Sequence, residues 1–549
     1  MMKSLVKNFK IPIIIACLQW GILLAINADS AFFIYIRNAQ GNVEASSVLL
    51  RWVTQLLAFV LLCVIWSSVW FLTAKLRAGD RAYKRWFRFF GIYFGIQMLL
   101  MLILWPGTWA WDDIMTLEFS VRCYGIFAWQ HVFTSIFQMV ALHIFPFPAG
   151  IIIIQQLLIA VCVATSLFWM EQSLGLKRLK NGALDIAIKL FPFLMPPVLM
   201  YQFSGYRNGP LVYLELLLVV LLLKEIKERK QRCISIWYYV FLVSLLAVVA
   251  EWRSENIIYI AIGVCVLALR NYKKTYYKIS IVVLALALFM ATHQVQKYIM
   301  GEDDMYAIAS TMRPAVELLR RADSQKDEQE IADMSEVVDK NYVDNHPGMH
   351  GELVFGEAGI RDKHISHQAY QKYMKGLTNL VIKYPGVFLH ERVSLFLAAM
   401  GIKGDGLQMT NVQHTVHLMD TSYANTHLDF MRNSGWLMVK PFAPELRKSL
   451  ILALGQQTYD GKESPLFYVF WNGLIPIGFL IVALFYGLRK KNRLLFGLVA
   501  VLLIKMFAVI LAEPSSWIMY YLSQYMAGYV LLSYWMIMIL SRTRIQKGA

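Results

Sequence analysis

Charge is scarce in this chain: of 549 residues only 16% are Asp, Glu, Lys or Arg, whereas about 25% is usual in a soluble domain. That shortage, beside 58% apolar residues, excludes an ordinary fold in water. Cysteine is scarce too. The six thiols (Cys17, Cys63, Cys123, Cys162, Cys233, Cys265) lie far apart, nearly all in apolar runs, and none follows Cys265. They define neither a disulfide framework nor a CxxC metal site. Acid is the minority sign, and the net charge is +17. A basic excess suits nucleic acid, but here Lys and Arg gather in short segments between apolar runs, as in cytoplasmic loops. No nucleic-acid-binding motif accompanies them, so that partner is set aside. No internal repeat appears at solenoid or propeller periods.

What is present is hydrophobic length. About 20 helical residues cross a hydrocarbon core of roughly 30 Å, and thirteen apolar segments approach or reach that length: Ile11–Ala28, Trp52–Ala74, Phe89–Trp105, Val132–Phe147, Ile151–Met170, Ala183–Phe203, Leu211–Leu223, Ile234–Ala250, Ile257–Leu269, Ile279–Gln294, Leu466–Leu488, Leu494–Ala512 and Trp517–Leu540. The first follows Lys3, Lys7 and Lys10 with no small-residue cleavage site, and reads as an uncleaved anchor. Basic segments at Lys75–Arg88, Lys224–Arg232, Arg270–Lys278, Arg489–Arg493 and Arg542–Lys547 place those loops inside. Both termini then read as cytoplasmic, which requires an even number of crossings. Val132–Phe147, with His143 in its middle, reads as a partial or interfacial helix. The expectation is an all-α integral membrane protein of about twelve, at most thirteen, transmembrane helices. Residues 1–295 form a transmembrane core with an outer loop around 106–131, 296–465 an extracytoplasmic helical segment, and 466–549 C-terminal transmembrane helices. In the outer segment, Met312–Asp323, Glu328–Val338 and the amphipathic His364–Val381 read as helices, and Gly-, His- and Pro-rich Asn345–Gly359 as loop. Val387–Met400 suits the membrane surface.

Several polar groups sit beside these runs, all on the same expected outer side. In Trp105-Pro-Gly-Thr-Trp-Ala-Trp-Asp112-Asp113 two carboxylates follow a span among tryptophans. Desolvation at the membrane edge raises a carboxyl pKa, which suits a general base, and the pair also suits a divalent cation near a phosphate. The plainer alternative is a first-turn acid with an interfacial tryptophan belt. Gln130-His131 starts the next helix, either as a polar cap or as a donor to a phosphate or sugar hydroxyl. Arg207 and Asn208 occupy a turn where an arginine can grip phosphate bidentately or snorkel. Glu251-Trp-Arg253-Ser-Glu255-Asn256 places three charges between apolar flanks, where charges are functional or mutually paired. Arg361 falls in a charged stretch of the outer segment. His364 and His367 share a face if helical, but no third zinc ligand accompanies them. Glu513 caps the last hairpin.

Taken together, these residues resemble the polytopic glycosyltransferases of the C fold class, and especially the bacterial branch with a Pro-Gly-x4-Asp outer-loop element. The matching features are Pro106-Gly107 with Asp112, the Gln130-His131 helix start, a span containing Pro192, Pro196 and Pro197, the hairpin at Arg253 and a late outer soluble segment. The resemblance covers most of the chain as topology. It implies an inverting transfer of sugar from a polyprenyl-phosphate donor to a cell-envelope acceptor at the outer face of the plasma membrane. Asp112, or else Asp113, takes the general-base role, and the cationic Arg207 and Arg253 would stabilise charge developing on the phosphate. Relatives commonly carry Lys-Asp where this chain has Arg207-Asn208, so a second acid is missing there. The residues also admit an envelope polysaccharide polymerase or ligase leaning on Arg361, His364 and Arg392. A lipid or polysaccharide flippase with a broken helix at Phe191–Pro197 and a non-catalytic scaffold are the other readings. Membrane lipids are partners in every case. The divalent cation is the sole cofactor the residues suggest.

Overall fold

The computed structural model describes residues 10–27, 44–109, 111–121, 125–228, 236–269, 275–301, 304–402, 440–454 and 470–542. All regular structure among them is helical. Each of the thirteen apolar runs carries helix where it is described. Six helices are long and apolar enough to cross a membrane: Ala45–Arg77, Arg81–Leu104, Pro148–Gln172, Tyr277–Met300, Arg493–Ala512 and Ile518–Ser541. The chain is an α-helical membrane protein. Along Ala45–Arg77, Leu49, Trp52, Leu56, Val60 and Val64 form an exposed stripe. Water would penalise such a stripe, and hydrocarbon does not. Val132–Ile144 has 13 residues, about 20 Å at the helical rise, which is short of the hydrocarbon thickness.

One further apolar helix pair is sharply bent, as in a broken span or a re-entrant loop. Gly182–Leu194 and Pro196–Gln202 meet at 68°. Met195 precedes Pro196 and is extended, at φ −67° and ψ 136°, as a residue before proline must often be. Pro197 has no N–H to give the carbonyl of Phe193, its helical partner four residues back. That carbonyl instead accepts from the Tyr93 hydroxyl and from Gln202 Nε2, both at 3.1 Å. Gln155 and Gln156 donate to the carbonyl of Gln202 at 2.6 and 2.7 Å, and Gln97 reaches the Gln202 side chain at 2.7 Å. At the other end of helix Arg81–Leu104, Arg85 pairs with Glu171 at 2.6 Å and with Asp185. Lys189 joins both acids at 2.7 and 2.8 Å.

The chain divides into two units. The first comprises Met1–Ile299, Val412–Ser464 and Tyr529–Ala549, and the second Met300–Asn411 and Pro465–Gly528. Unit 2 therefore joins the polar middle segment to Leu474–Arg489 and Arg493–Ala512. Ala399, Met400, Ile477, Val509 and Tyr521 share its core. Two readings of this region need correction. Residues 345–359 are not all loop, because Gly351–Glu357 is helical. Gly351 lies so close to helix Met305–Arg321 that a Cβ would stand 2.5 Å from Arg313 Cα, so this glycine serves close packing. Likewise His364 and His367 share no helix face. Ser366 caps the helix that starts at His367, accepting from Ala369 N at 3.2 Å, and leaves His364 outside. Cys17, Cys63, Cys162 and Cys265 are free thiols, while Cys123 and Cys233 lie outside the described residues.

Candidate functional site

In unit 1 three turns and one helix gather the polar residues. Asp112 and Asp113 occupy the first turn of helix Trp111–Val121. The strand of chain before them is fastened down: Thr108 N donates to the Phe203 carbonyl at 2.7 Å, and Trp109 Nε1 to the Pro106 carbonyl at 3.0 Å. Arg447 Nη2 donates to the Gly107 carbonyl at 3.0 Å. This separates the two acids. Asp113 is 1% exposed and accepts from Gly205 N at 2.9 Å, which makes it a brace for the 203–208 turn. Asp112 is half-buried and accepts from Gln130 Nε2 at 2.9 Å.

Gly205 is where this brace is most sensitive. A Cβ there would lie 2.5 Å from Trp109 Cζ3 and 3.0 Å from Asp113 Cβ. Gly205→Ala is expected to destabilise by about 1–3 kcal/mol through overpacking, read as a lower thermal midpoint of the purified protein in detergent. An unchanged midpoint would show that the turn yields.

His131 caps helix Val132–Ile144 from a backbone conformation rare outside glycine, φ 73° and ψ 146°. Such strain costs on the order of 1–3 kcal/mol and gathers at functional sites. Its Nδ1 accepts from Phe133 N at 3.3 Å, which leaves the ring proton on Nε2. That atom is buried, has no hydrogen-bond partner within 3.5 Å among the described residues, and lies 3.7 Å from Glu251 Oε1. Burial holds His131 below the usual histidine range, and Arg207 adds to this while Glu251 opposes it. The imidazole is therefore neutral near pH 7. Glu251 Oε1 also meets His293 Nδ1 at 3.1 Å.

The 251–256 turn is tied to its neighbours. Trp252 Nε1 donates to Thr134 Oγ1 at 2.8 Å, and Arg207 Nη1 to the Trp252 carbonyl at 3.3 Å. Arg253 is buried, pairs with Glu255 at 2.5 Å, and donates to Asn208 Oδ1 at 2.5 Å. Arg207 is half-buried, and among the described residues no carboxylate pairs with it. The two arginines thus differ: Arg253 is a brace, whereas Arg207 forms no ion pair among the described residues. Tyr206 is buried beside the acids. Burial, then Asp112 and Asp113, hold its hydroxyl well above the usual tyrosine range.

Unit 1 therefore brings together Asp112, Asp113, His131, Arg207, Asn208, Glu251, Arg253 and Glu255. Arg361 belongs to unit 2 and is exposed, and Glu513 is buried in unit 2 beside Arg392 and Tyr521. No family model matches the chain, and no curated protein or solved structure matches it either. Its chemistry is read from its own residues. Sequence reasoning passed over His293 and Gln296, whose Oε1 accepts from Val132 N at 2.9 Å. Their signal was three-residue spacing of polar side chains at the end of an apolar run, one face of a helix. Among the described residues, no group of three or more His, Cys, Asp or Glu is placed to hold a metal ion. The arrangement supplies a half-buried carboxylate, a neutral imidazole N–H and a guanidinium that forms no ion pair among the described residues, groups chemically able to take a proton and to bind an anion.

Proposed function

We propose that this protein is a membrane glycosyltransferase that moves a sugar from a polyprenyl phosphate to a cell-envelope acceptor. It would lie in the plasma membrane with twelve crossings and both termini cytoplasmic, and its site would face outward. The observation that carries the reading is the gathering in one unit of Asp112, held by Gln130, with His131 and with Arg207, with which no carboxylate pairs among the described residues. Asp112 takes the proton of the acceptor hydroxyl as its oxygen bonds to the anomeric carbon. The bond from that carbon to the phosphate oxygen breaks with inversion, and polyprenyl phosphate leaves with the electron pair. Arg207 stabilises the charge that develops on the phosphate.

The test is transfer from radiolabelled polyprenyl-phosphosugar in proteoliposomes supplied with candidate envelope acceptors. Wild-type protein is expected to release label from the donor lipid, and Arg207→Gln to slow release by about 10²- to 10³-fold, as for loss of one transition-state donor. Release no faster than in protein-free vesicles sinks the reading. The 68° break at Met195 favours a second reading, a flippase, because broken helices line transport sites. In the same vesicles a flippase carries intact labelled lipid across the bilayer without freeing polyprenyl phosphate.

A further inference from the structure

Unit 2 holds a second set of charges, buried except for the half-buried Glu352. Arg313 comes from helix Met305–Arg321, Glu352 from Gly351–Glu357, Glu391 and Arg392 from Pro385–Ala399, and Glu513 from the end of Arg493–Ala512. Arg313 is 1% exposed and pairs with Glu391 at 2.7 Å and with Glu352 at 3.3 Å. Arg392 turns instead to main-chain oxygens: its Nη1 donates to the Glu513 carbonyl at 2.6 Å and its Nη2 to the Ser310 carbonyl at 3.4 Å. The Glu513 side chain receives the Tyr521 hydroxyl on Oε2 at 2.6 Å. Its Oε1 is buried, and among the described residues it has no hydrogen-bond partner and no cation forms an ion pair with this carboxylate.

Two guanidinium groups face three carboxylates, so 3 − 2 leaves one negative charge uncompensated. An ionised carboxylate without a partner is far costlier to bury than a neutral carboxyl. We propose that Glu513 and the arginines around it form a proton-binding site, occupied at neutral pH, whose emptying loosens helix Pro385–Ala399 from the end of Arg493–Ala512. The site stands whatever reaction unit 1 performs.

Burial pushes Glu513 up to about 8 against the pull of Tyr521, Arg392 and Arg313, with Glu352 acting in the same direction as burial. Burial also raises Glu352, to about 7, and Glu391. Glu317 and His390 act on Glu391, and Tyr373 acts on Arg392. A raised carboxyl means that the folded state holds a proton the unfolded chain releases. The stability it contributes is complete below the ordinary value of 4.5 and is lost as pH rises through about 8.

Infrared titration of the full-length protein in nanodiscs reads this directly. The carbonyl-stretch band of a protonated carboxyl is expected to bleach with a midpoint near pH 8. It should be missing in Glu513→Gln and retained in Glu352→Gln. Amide exchange across Pro385–Ala399, corrected for its intrinsic pH dependence, should quicken through the same midpoint in wild type and not in Glu513→Gln. A band untouched by Glu513→Gln overturns the proposal, as does exchange that quickens equally in both proteins. If the glutamine variant does not fold, a wild-type titration with no carboxyl band lost near pH 8 overturns it as well.

Discussion

Asp112→Asn is expected to slow sugar transfer by about 10²- to 10⁴-fold, the usual contribution of a positioned acid or base, while leaving the fold intact. Asparagine keeps an oxygen to accept from Gln130 but cannot take a proton. Asp113→Asn is expected to do the opposite. Asp113 is nine-tenths or more buried and accepts from Gly205 N, so an amide in its place brings donors into a site built for an acceptor. Burying such a group unsatisfied costs about 1–3 kcal/mol, seen as a lower thermal midpoint with the rate per folded molecule largely kept. The two variants are compared by transfer rate in proteoliposomes and by thermal melting. Loss of rate confined to Asp113→Asn would move the base to that residue, and full rate in both would remove the general base from this pair.

Arg313→Leu carries the largest expected stability loss. The guanidinium lies between Glu391 and Glu352, and leucine fills part of its volume while leaving both acids facing each other. Removing one partner of a buried ion pair costs about 3–5 kcal/mol. The loss should shrink at acid pH, where the two carboxyls take up protons. Denaturant or thermal unfolding near pH 7 and near pH 5 checks both statements. Equal stability of wild type and Arg313→Leu at neutral pH would show that the cluster is hydrated rather than dry.

The helices were legible because hydrophobic length needs no partner to be read: every apolar run carries helix where it is described. The site was legible in part. Asp112, His131, Arg207 and Arg253 announce themselves as polar residues beside spans, where polarity is costly. Their roles were not legible, since Asp112 and Asp113 are neighbours of the same type. Burial, the Gly205 N–H on Asp113 and the Gln130 amide on Asp112 tell them apart. Arg207 and Arg253 differ likewise through burial, Glu255 and Asn208. The shared helix face of His364 and His367 failed because Ser366 starts the helix between them. The loop reading around Gly351 failed because glycine marks close approach as well as a turn.

The bend at Met195 has a consequence for how the protein is made. Within hydrocarbon a carbonyl that lacks its helical partner has no water to turn to, and the carbonyls of Phe193 and Gln202 are supplied by Tyr93, Gln155, Gln156 and Gln202 itself. Apart from Gln202 these donors stand on Arg81–Leu104 and Pro148–Gln172, two helices that leave the ribosome before the bend. Residues 182–202 thus enter a bilayer in which their hydrogen-bond partners are already waiting, and the order of synthesis matches the order in which the helices need one another.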